Sequence, residues 1–197
     1  MTFRYKPGLV LFFSMLIITF GGCSLKSTPS TSSFIREDVD LSFVTRIAVL
    51  PFENNSKEKF AAERSRNIAV TQVLSLRYFD VIDKGLVDSA LAEEAIEKGA
   101  AIDLNTLKRL GQKLNVQAFL MGTVDSAGNI RKGSVTFPEI SLTLRLVDSR
   151  ASVVLWQASG YKSGDSMVGR LFGLAPSDDF KVTTKLINEL LYTMPGK

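Results

Sequence analysis

From Ile140 to Leu146 the chain alternates without a break: Ile140, Leu142, Leu144 and Leu146 are apolar, and Ser141, Thr143 and Arg145 separate them. A period of two belongs to a strand and not to a helix, so this stretch must be a β-strand with one face covered. Gln117 to Ser126 and Val153 to Tyr161 read as strands on either side of it, and the short connection Asp148 to Ser152 predicts an antiparallel hairpin between the last two. Arg46 to Phe52 (RIAVLPF) is a β-branched, apolar run ended by Pro51 and followed by Asn54, Asn55 and Ser56, the pattern of a buried strand; Phe79 to Asp83 is another. Between Lys57 and Tyr78 the period changes. Ala61, Ser65, Ile68, Ala69, Gln72, Val73 and Leu76 recur at three and four residues, which predicts a helix with Arg64, Arg66 and Arg77 turned to solvent. Further helices are expected at Leu86 to Lys98, closed by Gly99, at Asn105 to Leu114, and at Phe180 to Met194, the last with Asp178 and Asp179 near its start and Pro195 after it. The order β-α-β-α-α-β-β-β-α places the chain in the α/β (α+β) class, one mixed sheet layered with helices.

The first 22 residues belong to no such pattern. Arg4 and Lys6 precede Leu9 to Phe20, 12 mostly apolar residues, and Gly21, Gly22 and Cys23 follow: a charged start, an apolar stretch and a small-residue cleavage site, as in a secretory signal. A spanning helix needs about 20 apolar residues, so cleavage is expected rather than a permanent anchor. Phe20, Gly21, Gly22 and Cys23 resemble the lipobox of bacterial lipoproteins, although Phe20 stands where Leu, Val or Ile is usual. That resemblance implies that signal peptidase recognises Phe20 to Gly22 and cuts before Cys23, whose sulfur then carries a diacylglycerol and whose amine an acyl chain. It also implies sorting to the outer membrane, since Ser24 follows the cysteine. An ordinary signal leaving a free thiol, or an uncleaved anchor, are the alternatives. Ser24 to Ser33 (SLKSTPSTSS) has seven Ser or Thr in ten residues and too little apolar surface to order itself. The expected organisation is therefore a signal over 1–22, a lipidated Cys23 with a flexible tether to residue 41, and a periplasmic domain over 42–197.

The chain has no histidine and one cysteine, which removes Ser-His-Asp and Cys-His catalysis, zinc fingers, CxxC redox sites and internal disulfides. Its 24 Lys and Arg against 20 Asp and Glu fall to 22 against 20 once Arg4 and Lys6 leave with the signal, too even a balance to predict nucleic-acid binding.

IAVLPFEN at Ile47 to Asn54, LGQKLNVQAFLMGTV at Leu110 to Val124 and LRLVDSRASVVLW at Leu144 to Trp156 resemble, in that order, segments of the CsgG superfamily of outer-membrane lipoproteins, which takes in CsgG-, PelC- and LpoB-like proteins. The resemblance runs from about Thr45 to Met194 and rests on strand signatures, not catalytic ones. At the hairpin turn, Ala151-Ser152 stands where the family often has Thr-Gly. The channel-forming kind adds two amphipathic hairpins that join into a barrel, each needing two strands of about 9–11 residues. The connection Ala127 to Pro138 is too short for one, and Ser163 to Asp179 holds Gly164, Gly169, Gly173 and Pro176 without alternation. The resemblance therefore implies a non-enzymatic outer-membrane lipoprotein without barrel hairpins, a homo-oligomeric accessory subunit of an envelope export or assembly system of the curli- or polysaccharide-secretion kind. The alternative is an LpoB-like activator that binds a peptidoglycan synthase.

Candidate sites are few. Asp165-Ser166 in SGDSMVGRLFG lacks the base an esterase serine needs, and Gly169-Arg170-Leu171 departs from a phosphate loop. The same segment gathers Met167, Arg170, Leu171, Phe172 and Leu174, a partner or membrane contact if exposed and a cap on the sheet edge if buried. Lys57, Lys59, Arg64 and Arg66 form a basic stretch interleaved with Glu58 and Glu63, which reads as a solvated mixed face. Trp156 reads as core rather than a sugar platform. Asp80, Asp83 and Asp88 are too dispersed for a calcium site, and neither a metal nor a non-covalent cofactor is predicted.

Overall fold

The computed structural model describes residues 31–37, 41–96, 102–165 and 177–195. Its strands are β1 (Thr31–Ile35), β2 (Arg46–Val49), β3 (Glu53–Asn54), β4 (Asp80–Val81), β5 (Ala118–Lys132), β6 (Val135–Asp148) and β7 (Val154–Ser163). The helices are α1 (Ala61–Leu76), α2 (Lys84–Glu93), α3 (Leu104–Leu114) and α4 (Asp179–Leu191). All seven strands join one mixed sheet in the order β1-β7-β6-β5-β2-β4, with β3 also on β5. β2, β3 and β4 enter by parallel pairings and β1, β6 and β7 by antiparallel ones. The α/β class read from the sequence is thus observed.

Strand alternation sorts the core into two layers. Ile47 and Val49 of β2, Leu120 and Val124 of β5, Leu142, Leu144 and Leu146 of β6, and Trp156 of β7 pack beneath α1 and α4. Their neighbours on the other face, Ala48, Leu50 and Phe119, meet Val87, Ala90 and Leu91 of α2 and Leu107 and Leu110 of α3. Leu142, Leu144 and Leu146 are wholly buried, each worth about 1.5–3 kcal/mol over an exposed position. Trp156 is core as expected, 0% exposed, with its indole N–H donating to the Thr193 hydroxyl at 3.1 Å.

Aspartates start three helices. Asp83 accepts from the Gly85 and Leu86 N–H groups, Asp103 from those of Asn105 and Thr106, and Asp178 from that of Lys181. Asp103 is held below the usual carboxylate range chiefly by the Thr106 hydroxyl, and Asp178 chiefly by the Lys181 N–H.

Several expectations need correction. The tether expected to run to residue 41 meets the sheet earlier: Thr31–Ile35 pairs antiparallel with β7, Thr31 opposite Gly160 and Ile35 opposite Trp156. Its serines carry no hydrophobic signal, and only the free edge of β7 makes a strand of them. Ala127 to Pro138 is not a plain connection. β5 and β6 continue through it as a hairpin, Lys132 opposite Val135, turning at Gly133 (φ 63°) and Ser134. The expected strand Phe79 to Asp83 is only Asp80–Val81, and the helix expected from Leu86 begins at Lys84 and ends at Glu93. Arg66, expected in solvent, is 0% exposed.

Candidate functional site

The two helix layers do not cover the sheet equally. α1 and α4 lie along β5, β6 and β7, whereas α2 and α3 reach only β2 and the first residues of β5. From Thr123 onward, the face opposite α1 and α4 carries no described helix. Alternation puts one residue in two of each strand there, and level with the middle of β7 those residues are polar: Thr123 and Asp125 on β5, Ser141, Thr143 and Arg145 on β6, Gln157, Ser159 and Tyr161 on β7. β1 extends the face with Ser32 and Phe34, paired to Ser159 and Gln157.

Cross-strand hydrogen bonds hold this surface in one arrangement. The Thr143 hydroxyl donates to Asp125 Oδ2 at 2.9 Å and lies 3.0 Å from the Ser159 hydroxyl, tying three strands in a row. Asp125 reaches Thr143 because the β5–β6 register shifts between Val124 and Ser126, a bulge that turns one extra residue to this side. Arg145 Nη2 meets Glu53 Oε1 at 3.4 Å, and the Thr123 hydroxyl donates to Glu53 Oε2 at 3.4 Å. Farther along, the Tyr161 hydroxyl donates to Glu139 Oε2 at 2.8 Å, and partial burial, then this bond, pushes the phenol above its ordinary range. Tyr161 is nevertheless 43% exposed, and Phe34 is 51% exposed.

The arrangement suits recognition more than chemistry. It offers a flat, fixed array of hydroxyls, carboxylates and one guanidinium with Phe34 and Tyr161 as flanking aromatics, the composition of a polar protein-binding surface. Among the described residues no three His, Cys, Asp or Glu side chains gather where a metal could sit, and no helix is long and apolar enough to cross a membrane.

Most residues singled out in the sequence lie elsewhere. Phe20, Gly21, Gly22 and Cys23 are outside the described residues, as are Met167, Arg170, Leu171, Phe172 and Leu174. The basic stretch does not form one patch: Arg66 turns inward to the Val49 carbonyl and Asp88, Arg64 faces Asp179 at 3.8 Å, and Lys59 stacks over the Phe60 ring. Asp83 and Asp88 are spent on a helix cap and on Arg66. The sequence reading passed over Ser141, Thr143 and Arg145 as the solvent half of an alternating strand. The signal was in that alternation, but only the sheet order sets them beside Asp125, Gln157 and Ser159.

Comparison with known proteins agrees with this architecture. No functionally curated protein matches the chain. Among solved structures it is similar to the PelC dodecamer from Paraburkholderia phytofirmans at 18% identity and a TM-score of 0.56, over 82% of this chain and 95% of that one. It is similar also to lipoprotein GNA1162 from Neisseria meningitidis at 21% identity and a TM-score of 0.55, over 76% and 99%. At such identities these likenesses concern the fold. The match by sequence is of another kind: the model of one family, the peptidoglycan-synthase activator LpoB, covers residues 24–161, from the residue after Cys23 through β1 and nearly all of β7. The LpoB and PelC sides of the resemblance read from the strand signatures are thus found again, and the chain belongs to the LpoB family of peptidoglycan-synthase activators.

Proposed function

We propose that this protein is a non-catalytic accessory lipoprotein, acylated on Cys23 and held at the periplasmic face of the outer membrane, whose domain binds and activates a peptidoglycan synthase through the open β5-β6-β7 face. The family match over residues 24–161 carries the reading. The open face supports it, since a polar array held by cross-strand hydrogen bonds has the composition of a protein-binding surface. Arg145, Thr143 and Asp125 stand at its centre, and Phe34 and Tyr161 at its rim. Membership of the wider CsgG superfamily is part of this proposal.

One observation favours a second reading, a homo-oligomeric subunit of an export or assembly system working at the membrane itself. Only seven residues, Ser24 to Ser30, separate Cys23 from the sheet. Fully extended, the eight steps from Cys23 to Thr31 reach about 28 Å, too little to carry the domain far across the periplasm.

The two readings part in one experiment. The purified acylated protein is added to the synthase of its own cell in detergent, glycan polymerisation is followed, and the mass of the protein alone is taken by light scattering. Faster polymerisation that R145E abolishes is the expected result. A discrete ring without effect on polymerisation establishes the second reading, and a monomer without effect overturns both.

A further inference from the structure

One end of the domain differs from the rest. β5 and β6 run past the other strands: Thr31 of β1 stands level with Gly160, Leu142 and Val124, and the hairpin continues eight residues beyond Val124 to Lys132, about 26 Å at strand rise. α1 and α4 both begin along this extension. Glu58, Arg64 and Asp179 line one small cleft with Gly128, Asn129 and Glu139 of the hairpin. Phe60 and Phe180, adjoining those helix starts, are 67% and 59% exposed, and Val135 at the hairpin tip is exposed as well. Lys59 lies 5.3 Å over the Phe60 ring, and Arg131 and Lys132 flank the tip. Apolar rings beside cations are what the headgroup region of a bilayer accepts, the ring entering the acyl boundary and the ammonium meeting phosphate.

The direction of β1 says which way this end faces. Thr31 is the strand's first residue, and the chain enters it from the hairpin side, since β1 descends from the level of Gly160 to that of Trp156. The reach of about 28 Å between Cys23 and Thr31 is close to the rise of the hairpin above Thr31, about 26 Å, so a lipid-held Cys23 leaves little gap between tip and bilayer when the chain continues straight. The opposite orientation requires the chain to turn back before Thr31 and pass about 20 Å of strand, the six residues from Val124 down to Ala118, which consumes most of that reach. We infer that the hairpin tip with Phe60 and Phe180 is a lipid-contacting end, seated on the bilayer that holds Cys23. The inference rests on the acylated-Cys23 reading above.

Its test supplies the anchor chemically. Every described element lies within residues 31–195, so the chain from Cys23 onward keeps them all, and its single thiol couples to maleimide-headgroup lipid in phosphatidylethanolamine/phosphatidylglycerol vesicles with brominated acyl chains. F60W, F180W, F34W, L74W and Y192W are compared with the parent, whose Trp156 is fully buried and serves as background. On coupled brominated vesicles F60W and F180W are expected to lose most of their added emission and shift to the blue, while L74W and Y192W at the far end keep theirs. Unquenched F60W and F180W on coupled vesicles overturn the inference, as does quenching confined to F34W, which would put the sheet edge on the membrane. Acylation is read separately, from the mass of the protein isolated from cell membranes. An unmodified Cys23 there defeats the anchor reading, and the vesicle result still reports on the end itself.

Discussion

Arg66 carries the clearest physical lesson at the scale of single residues. β4 is two residues long and stops opposite Ile47, so the Val49 carbonyl on β2 has no strand beside it on that side. The guanidinium replaces the missing strand: Nε and Nη2 donate to that carbonyl at 3.1 and 2.8 Å, and Nη1 pairs with Asp88 Oδ1 of α2 at 2.7 Å. One side chain thereby joins α1, β2 and α2. Arg66→Met leaves a buried carbonyl and Asp88 without their donor and is expected to cost about 3 kcal/mol, read as a lowered urea midpoint at unchanged slope. Arg66→Lys is expected to recover only part of it, because a single ammonium cannot reproduce the fork. From sequence the residue looked solvent-facing, since an arginine next to Ser65 on an amphipathic helix has no visible partner; Asp88, 22 residues away, becomes one only after the chain folds. The capping aspartates differ in this respect, because their partners lie within three residues. Their depressed pKa values mean that stability linked to Asp103 and Asp178 is present above pH 3.8 and is lost as pH falls through their folded-state values.

At the scale of elements, α3 lies tightly on the turn between β6 and β7. A Cβ on Gly111 would come 2.7 Å from Ser149 Cβ. Ser149 cannot yield, because its hydroxyl donates to the Val116 carbonyl at 2.8 Å and its N–H to the Gln117 carbonyl at 2.9 Å. Gly111→Ala is therefore expected to destabilise by about 1–2 kcal/mol, the clash exceeding alanine's gain in helix propensity. Gly128→Ala, where a Cβ meets nothing within 4 Å, is expected to be near neutral, and thermal unfolding of the two checks both. Gly111 falls inside the helix legible at Asn105 to Leu114. The outer half of the hairpin was not legible: Ala127 to Pro138 contains Gly128, Asn129 and Gly133 and lacks alternation, so it reads as loop, and only cross-strand pairing of β5 with β6 makes it strand. The same holds for β1, whose serines pair because β7 offers a free edge.

For the whole molecule, the proposed anchor on Cys23 is separable from the fold. Cys23→Ser is expected to abolish acylation without changing the unfolding temperature of the domain, since the described fold begins at Thr31; mass spectrometry of the membrane-isolated protein and calorimetry check the two halves. Local pattern alone determined the class of fold, the helix between Arg46 and Asp83 and the core residues of β6, because periods of two and 3.6 and cap residues act over a few positions and need no distant partner. Tertiary structure alone decided which sheet face carries no described helix, that β5 and β6 outrun their neighbours, that β1 joins the edge, and that Arg66 turns inward. Each of these depends on what lies beside a residue across the sheet or between layers, and such neighbours, tens of residues apart in the chain, exist only once the strands have taken their order.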